Sequence, residues 1–137
     1  MSVVSNKRAV VREVEKAMKE AATMIGGTVA GHATEQAPTD TGFLHNSITY
    51  ALGGETPAIA NYTDDDGTQT GYYDGSAPDD EENQVTVYIG TNVEYAPYQE
   101  LGAPSINLPA RPYLRPAMEN SEREIKQIIE QCFRAIN

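Results

Sequence analysis

Between residues 5 and 36 the apolar side chains Val11, Val14, Met18, Ala21, Ile25 and Val29 recur every three or four positions. An α-helix turns once in about 3.6 residues, so this spacing places them all on one face. Ser5 or Asn6 can offer a side-chain oxygen to the first free N–H groups. At 1.5 Å per residue such a helix is about 45 Å long. That is long for a small domain, so part of the apolar face is expected to meet a neighbouring subunit. Gly26-Gly27 sits in the middle of the run. Each glycine costs about 1 kcal/mol relative to alanine in a helix interior, so this pair is the weak point of the helix, which either runs on through it or kinks or breaks there.

The chain has 137 residues, which suits one domain over 1–137. A chain of this size can bury roughly two-thirds of its unfolded surface, so a core without cross-links is feasible. Cys132 stands alone, which rules out an intrachain disulfide. It reads as a small buried apolar residue. The first twenty residues carry Lys7, Arg8, Arg12, Glu13, Glu15, Lys16, Lys19 and Glu20, so they cannot supply the apolar stretch of a signal peptide. No run approaches the ~20 apolar residues of a membrane span. The expectation is a soluble chain with no membrane partner.

The formal net charge of −10 is unevenly spread. Every Lys and Arg lies within 7–19 or 111–134, and acids dominate between Glu20 and Ala110. A protein that grips duplex DNA shows a clustered basic face, whereas the middle of this chain would repel phosphates.

After the first helix, Ala37-Pro38-Thr39-Asp40-Thr41-Gly42 reads as a stop followed by a turn. Asp40 can accept backbone N–H bonds there, and Gly42 can supply a positive φ. Phe43 and Leu44 are then expected in the core. Ser47 to Leu52 alternates polar and apolar residues, as a strand does. Residues 53–83 form an acidic loop insertion, with Asp64-Asp65-Asp66-Gly67 and Asp79-Asp80-Glu81-Glu82. Loops this long are usually functional or disordered. A short hairpin around Ile59, Tyr62, Tyr72 and Tyr73, ordered against a neighbouring subunit, is expected within it. Gln84 to Gly90 is β-branched and alternating, the clearest strand of the chain. Val93 to Leu101 reads as a short helix closed by Gly102.

Ala110-Arg111-Pro112-Tyr113-Leu114-Arg115-Pro116-Ala117 opens the last helical run, 113–135. Proline fixes φ near −65° and lacks an N–H, so it is tolerated in a first helical turn and not deeper. The segment reads as a rigid entry, with Tyr113 and Leu114 pointing inward and two guanidinium groups held in place. Leu114, Ala117, Met118, Ile125, Ile128, Ile129, Cys132 and Phe133 form the apolar stripe that follows. The whole reads as an α+β domain: a long N-terminal helix and a C-terminal helix packed on a small antiparallel β-sheet.

Three pieces come in fixed order behind the long helix. They are 38–48 (Pro-Thr-Asp-Thr-Gly-Phe-Leu-His-Asn-Ser-Ile), 89–102 (Ile-Gly-Thr-Asn-Val-Glu-Tyr-Ala-Pro-Tyr-Gln-Glu-Leu-Gly) and the 110–117 segment. Together they resemble the small neck or tail-completion proteins of tailed bacteriophages, also described as tail components. Members commonly carry a basic residue where this chain has His45, and the acidic segment here is longer than the family's usual connection. The resemblance implies a helix–sheet–helix subunit that forms a ring at the head–tail junction and has no enzymatic activity.

Several residues suit that setting. Tyr95 and Tyr98 pair an apolar ring with a polar tip, which fits a subunit boundary. Glu94 and Glu100 are candidate partners for Arg111 and Arg115, since an Arg–carboxylate pair can be bidentate and geometrically strict. With Asp40, Gly42, Leu44, Pro112, Tyr113 and Pro116 they make up the expected structural and interface residues.

Other chemistry fits less well. A calcium loop of the EF-hand kind with Gly67 at its sixth position would begin at Tyr62 and end at Tyr73, where acidic ligands are required. His32 and His45 lack Cys or His neighbours at metal spacing. No Gly-x-Ser-x-Gly surrounds Ser47, and Asp40-Thr41-Gly42 is explained by its turn. No catalytic residue, metal or cofactor is expected. The expected role is structural: a ring of six between the head connector and the tail, in the virion, assembled in the host cytoplasm. DNA would slide past its acidic lumen without specific binding. The alternative is a non-enzymatic binding module that captures a cation or a basic partner through the acidic loop.

Overall fold

The computed structural model describes residues 3–38, 43–68, 70–134 and 136. Asp40 and Gly42, expected to shape the turn after the first helix, lie outside the described residues. The first helix, α1, spans Val3–Gln36 without interruption. Its 34 residues give a length of about 51 Å at 1.5 Å per residue. Of the two courses open at Gly26-Gly27, the helix takes the continuous one. Gly26 is buried against the sheet, and a Cβ there would lie 2.6 Å from Tyr50 Cδ2 and 2.9 Å from Val87 Cγ2. The glycine thus lets the helix approach the strands closely, which offsets its poor helix propensity.

A short helix α2 (Phe43–Ser47) leads into strand β1 (Thr49–Leu52). The expected strand start at Ser47 moves to Thr49 because the Ser47 hydroxyl closes the preceding turn, donating to Leu44 C=O at 2.7 Å. β1 pairs antiparallel with β4 (Val87–Gly90), in the register Thr49↔Gly90 and Leu52↔Val87. Between them β2 (Asn61–Thr63) and β3 (Thr70–Tyr72) form a second antiparallel ribbon. The fold is α+β, with two small antiparallel ribbons and helices at either end of the chain.

The C-terminal part contains α3 (Ala96–Leu101), α4 (Leu114–Asn120) and α5 (Glu122–Arg134). The expected single helix over 113–135 is therefore two helices. Ser121 is fully buried between them, and its hydroxyl donates back to Ala117 C=O at 2.6 Å. Such i−4 back-bonding bends a helix. Of the expected stripe, Ala117 and Ile128 are buried, whereas Met118 and Ile129 are exposed. α5 packs along α1, and His32 Nε2 on α1 meets Glu124 Oε1 on α5 at 2.8 Å.

The core gathers Val29 and Ala33 of α1 with Ala37, which follows the helix, and with Leu44, Ile48, Tyr62, Val93, Ala96, Tyr113 and Ala117. Leu44 docks as expected. Along α1 the apolar stripe grades from closed to open. Val29 and Ala21 are buried, Met18 and Val14 half-buried, and Val11 and Val10 exposed.

Candidate functional site

The segment joining α3 to α4 is built around one carboxylate. An α-helix leaves its first N–H groups without internal partners. The residue preceding α4 is Tyr113, which has no oxygen placed to cap it. Glu100, near the end of α3, supplies the acceptors instead. Its Oε2 accepts Tyr113 N–H at 2.7 Å, and its Oε1 accepts Leu114 N–H at 2.9 Å and Arg115 N–H at 3.0 Å. The next residue is Pro116, which has no N–H to satisfy. Every free donor at the start of α4 is thus accounted for, and the negative charge sits at the positive end of the helix dipole.

This arrangement differs from the expected pairing. Glu100 spends both oxygens on backbone donors rather than on a guanidinium. Arg111 and Arg115 are exposed, and Arg115 Nε lies 3.8 Å from Glu119 Oε1 in a solvated pair. Such pairs contribute about 0–1 kcal/mol. The entry is rigid all the same, because the Arg111 N–H donates to Gln99 C=O at 2.7 Å. Pro112 is half-buried, and Tyr113 is fully enclosed, its hydroxyl 3.4 Å from Ala96 C=O. Burial, and then the Glu100 carboxylate, push the Tyr113 phenol up to about 12.

A tight loop separates Glu100 from Tyr113. Gly102 ends α3 with φ +79°, and a Cβ there would meet Ala110 N at 2.9 Å and Leu108 O at 3.0 Å. Ala103 N–H donates to Leu108 C=O at 2.9 Å, and Leu108 N–H returns the bond to Ala103 C=O at 3.1 Å. The loop therefore folds back on α3, and helix and loop together present apolar side chains outward. Tyr95 is 39% exposed, Tyr98 57%, Leu101 76% and Ile106 71%. Glu94 is exposed at the same end. The structure thus brings Glu94, Tyr95, Tyr98, Glu100, Arg111, Pro112, Tyr113, Arg115 and Pro116 into one corner, and places Leu44 in the core beneath it.

A partly buried polar chain, not foreseen from the sequence, fastens the β2–β3 ribbon to this body. The Ser47 hydroxyl lies 2.5 Å from the Thr91 hydroxyl, and the latter accepts Val93 N–H at 3.1 Å. Tyr73 OH donates to Ser47 C=O at 2.5 Å. Tyr62 OH donates to Asn92 Oδ1, whose amide donates to Tyr72 C=O at 2.8 Å. Burial raises the pKa of both Tyr62 and Tyr73. The expected hairpin exists, and these bonds tie it to the body of its own chain. The acidic turns are tied back as well. Asp64 Oδ1 accepts Thr68 N–H at 3.1 Å, and Asp80 Oδ1 accepts Thr86 N–H at 3.1 Å. Among the described residues, no group of three or more His, Cys, Asp or Glu converges to hold a metal ion. None of the described helices is long and apolar enough to cross a membrane.

At the other end of α1, a groove of about 530 Å³ runs between the helix and residues 83–85, with Val10, Val11, Val14, Met18 and Val85 as its apolar lining. The two open apolar surfaces thus lie at opposite ends of the molecule.

The described residues thus form a helix–ribbon–helix body with open apolar surfaces at both ends. The family model described as "Bacteriophage HK97-gp10, putative tail-component" matches residues 3–102, and the chain belongs to this family of bacteriophage tail components. No curated protein and no solved structure gives a significant match. The matched region holds the 38–48 and 89–102 pieces, whereas the Glu100-capped entry to α4 lies beyond its end.

Proposed function

We propose that copies of this chain, each acting as one domain, close into a ring of six at the phage neck, joining the head connector to the tail. The observation that carries this reading is the apolar stripe of α1, which the chain covers at one end only. Val29 is fully buried, while Val10 and Val11 are exposed, about 27 Å away along the helix. A stripe left open on a small subunit gains stability when another chain covers it. Family membership supplies the setting, in which a tail component meets other virion proteins.

The charge distribution supports a passage for DNA. Residues 20–110 carry fourteen carboxylates and no Lys or Arg, and residues 3–19 carry five cations and two carboxylates. A lumen lined by the acidic stretch would let DNA slide without displacing counterions from its phosphates. In this role the chain binds no cofactor and catalyses nothing. It is assembled in the host cytoplasm and resides in the virion. The Glu94, Tyr95, Tyr98 and Arg111–Pro116 corner is the proposed subunit boundary.

The test is to produce particles without this chain. Filled heads and unattached tails should accumulate, and added purified protein should restore joining. Joined, infectious particles made in its absence would overturn the role. A ring image with residues 61–82 on the outer rim would overturn the acidic lumen.

A further inference from the structure

We propose that the free edge of β4 takes up an added strand, supplied as an extended basic segment of another virion protein. Such a strand binds whether or not copies of this chain close into a ring. In an antiparallel pair, residues alternate between exchanging backbone bonds with their partner and pointing those groups outward. Gly53 N–H donates to Thr86 C=O at 3.0 Å. In the β1–β4 register this makes Ala51↔Tyr88 and Thr49↔Gly90 the bonded pairs. The N–H and C=O groups of Val87 and Ile89 therefore face away from β1. On its own outer side β1 is closed, because Tyr50 C=O accepts Ala58 N–H at 2.9 Å and Leu52 C=O accepts Glu55 N–H at 3.0 Å. No described residue does the same for Val87 or Ile89. Proteins commonly guard an open edge with charge, proline or a bulge. Residues 83–93 contain no charged side chain and no proline, and β4 pairs with β1 without a bulge. An edge of this kind is recognised by an extended backbone.

A groove beside the strand narrows the choice of occupant. A cavity of about 520 Å³ follows the C-terminal half of β4, where Ile89 and Gly90 meet Pro97, Leu101 and Leu114 of α3 and α4. It can receive apolar side chains from alternate positions of an added strand. Leu101, strongly exposed in the free chain, would be covered. Glu94 and Glu100 are the charged residues that line the groove, and no cation lines it. Glu100 is held by three backbone N–H groups. Glu94 is exposed and has no ion pair among the described residues. A Lys or Arg on the added strand would complement it. This chain has no extended segment of that kind to offer from a second copy. Its cations lie within 7–19 and 111–134. Apart from Arg111 they belong to α1, α4 and α5, and the Arg111 backbone is already bonded to Gln99. The strand therefore comes from a different protein. Tyr95 and Tyr98 do not line the groove, which leaves them to the subunit boundary.

The experiment follows amide exchange by NMR in the full, isotope-labelled chain. The probe is a synthetic peptide of alternating threonine and valine with a lysine at each end. In the free chain the Val87 and Ile89 amides should exchange fast, and those of Tyr88 and Gly90, bonded to β1, slowly. The peptide at about 1 mM should slow Val87 and Ile89 about tenfold and leave Tyr88 and Gly90 as they were. The same peptide with its interior amides N-methylated should not bind. Glu94→Lys should weaken the lysine peptide about fivefold and should bind a version with glutamate at each end instead. Exchange at Val87 and Ile89 that the peptide does not change, or equal binding of the methylated peptide, overturns strand addition. Equal binding of the lysine and glutamate peptides by wild type overturns the basic partner. Protection of the two amides that grows with the concentration of the chain alone makes a second copy the occupant and overturns the assignment to another protein.

Discussion

Replacing Gly26 and Gly31 by alanine, one at a time, should change stability in opposite directions. Both glycines lie inside α1, so each alanine gains about 1 kcal/mol of helix propensity. At Gly31 nothing lies within 4 Å of the added Cβ. That variant should keep the full gain, about 0.5–1 kcal/mol. At Gly26 the new Cβ would lie 2.6 Å from Tyr50 Cδ2, 2.8 Å from Tyr50 Cγ and 2.9 Å from Val87 Cγ2. The tyrosine atoms sit at the root of the ring, and Tyr50 is held in the ribbon opposite Ile89. The ring cannot swing aside without moving the strand. Overpacking of this kind costs about 1–3 kcal/mol. The propensity gain offsets only part of it, so Gly26→Ala should be destabilised by about 1 kcal/mol and separated from Gly31→Ala by about 2 kcal/mol. Urea unfolding reads this directly as a shift in midpoint at constant slope. In thermal melts the two variants should differ by several degrees. If Gly26→Ala is stabilised as much as Gly31→Ala, then α1 does not press on Tyr50 and the reasoning fails.

Three further outcomes follow from the site. Glu100→Ala strips three N–H groups at the start of α4 of their acceptor and should cost about 1–2 kcal/mol in urea unfolding, with Glu100→Gln intermediate. No loss for the alanine variant would mean that the cap is immaterial. Tyr113, at about 12, and the raised Tyr62 and Tyr73 keep their protons in the folded chain at a pH where the unfolded chain releases them. The folded state then binds more protons than the unfolded one above pH 10, so stability is fully present below that pH and falls as pH rises toward 12. Urea midpoints measured at pH 8, 10 and 11 should show this decline, and Tyr113→Phe should flatten it. Thr91→Val removes the acceptor of Val93 N–H and should cost about 1–3 kcal/mol, because a buried donor is left without a partner. A midpoint unchanged from wild type would show that solvent reaches that donor.

Much of this architecture is legible in the chain. The periodicity from Val11 to Val29 locates α1, the β-branched run before Gly90 locates β4, and Gly102 marks the end of α3. These features act locally, through backbone preference and side-chain period, so a linear reading captures them. The paired tyrosines also give away the β2–β3 ribbon. What escapes is non-local. The Glu100 cap joins residues 13 to 15 positions apart. Its one sequence signal is negative, since Tyr113 cannot cap a helix and some other oxygen must. The Ser47–Thr91 contact spans 44 positions and leaves no periodic trace. Gly26 reads as a weak point in isolation, because only the approach of Tyr50 from β1 shows why a side chain is excluded. Ser121 looks like an ordinary helix residue until its burial and its bond to Ala117 are seen. Arg111 and Arg115 attract attention by their charge, yet the neighbouring backbone N–H groups claim the carboxylate first.

In the proposed role this polypeptide joins with copies of itself in the virion. Counting its copies decides the matter, by native mass measurement of the purified chain across concentration and by quantitative protein counting in intact particles. The expected result is one closed species of six chains, matched by six copies per virion. A lone chain in both settings would contradict the account.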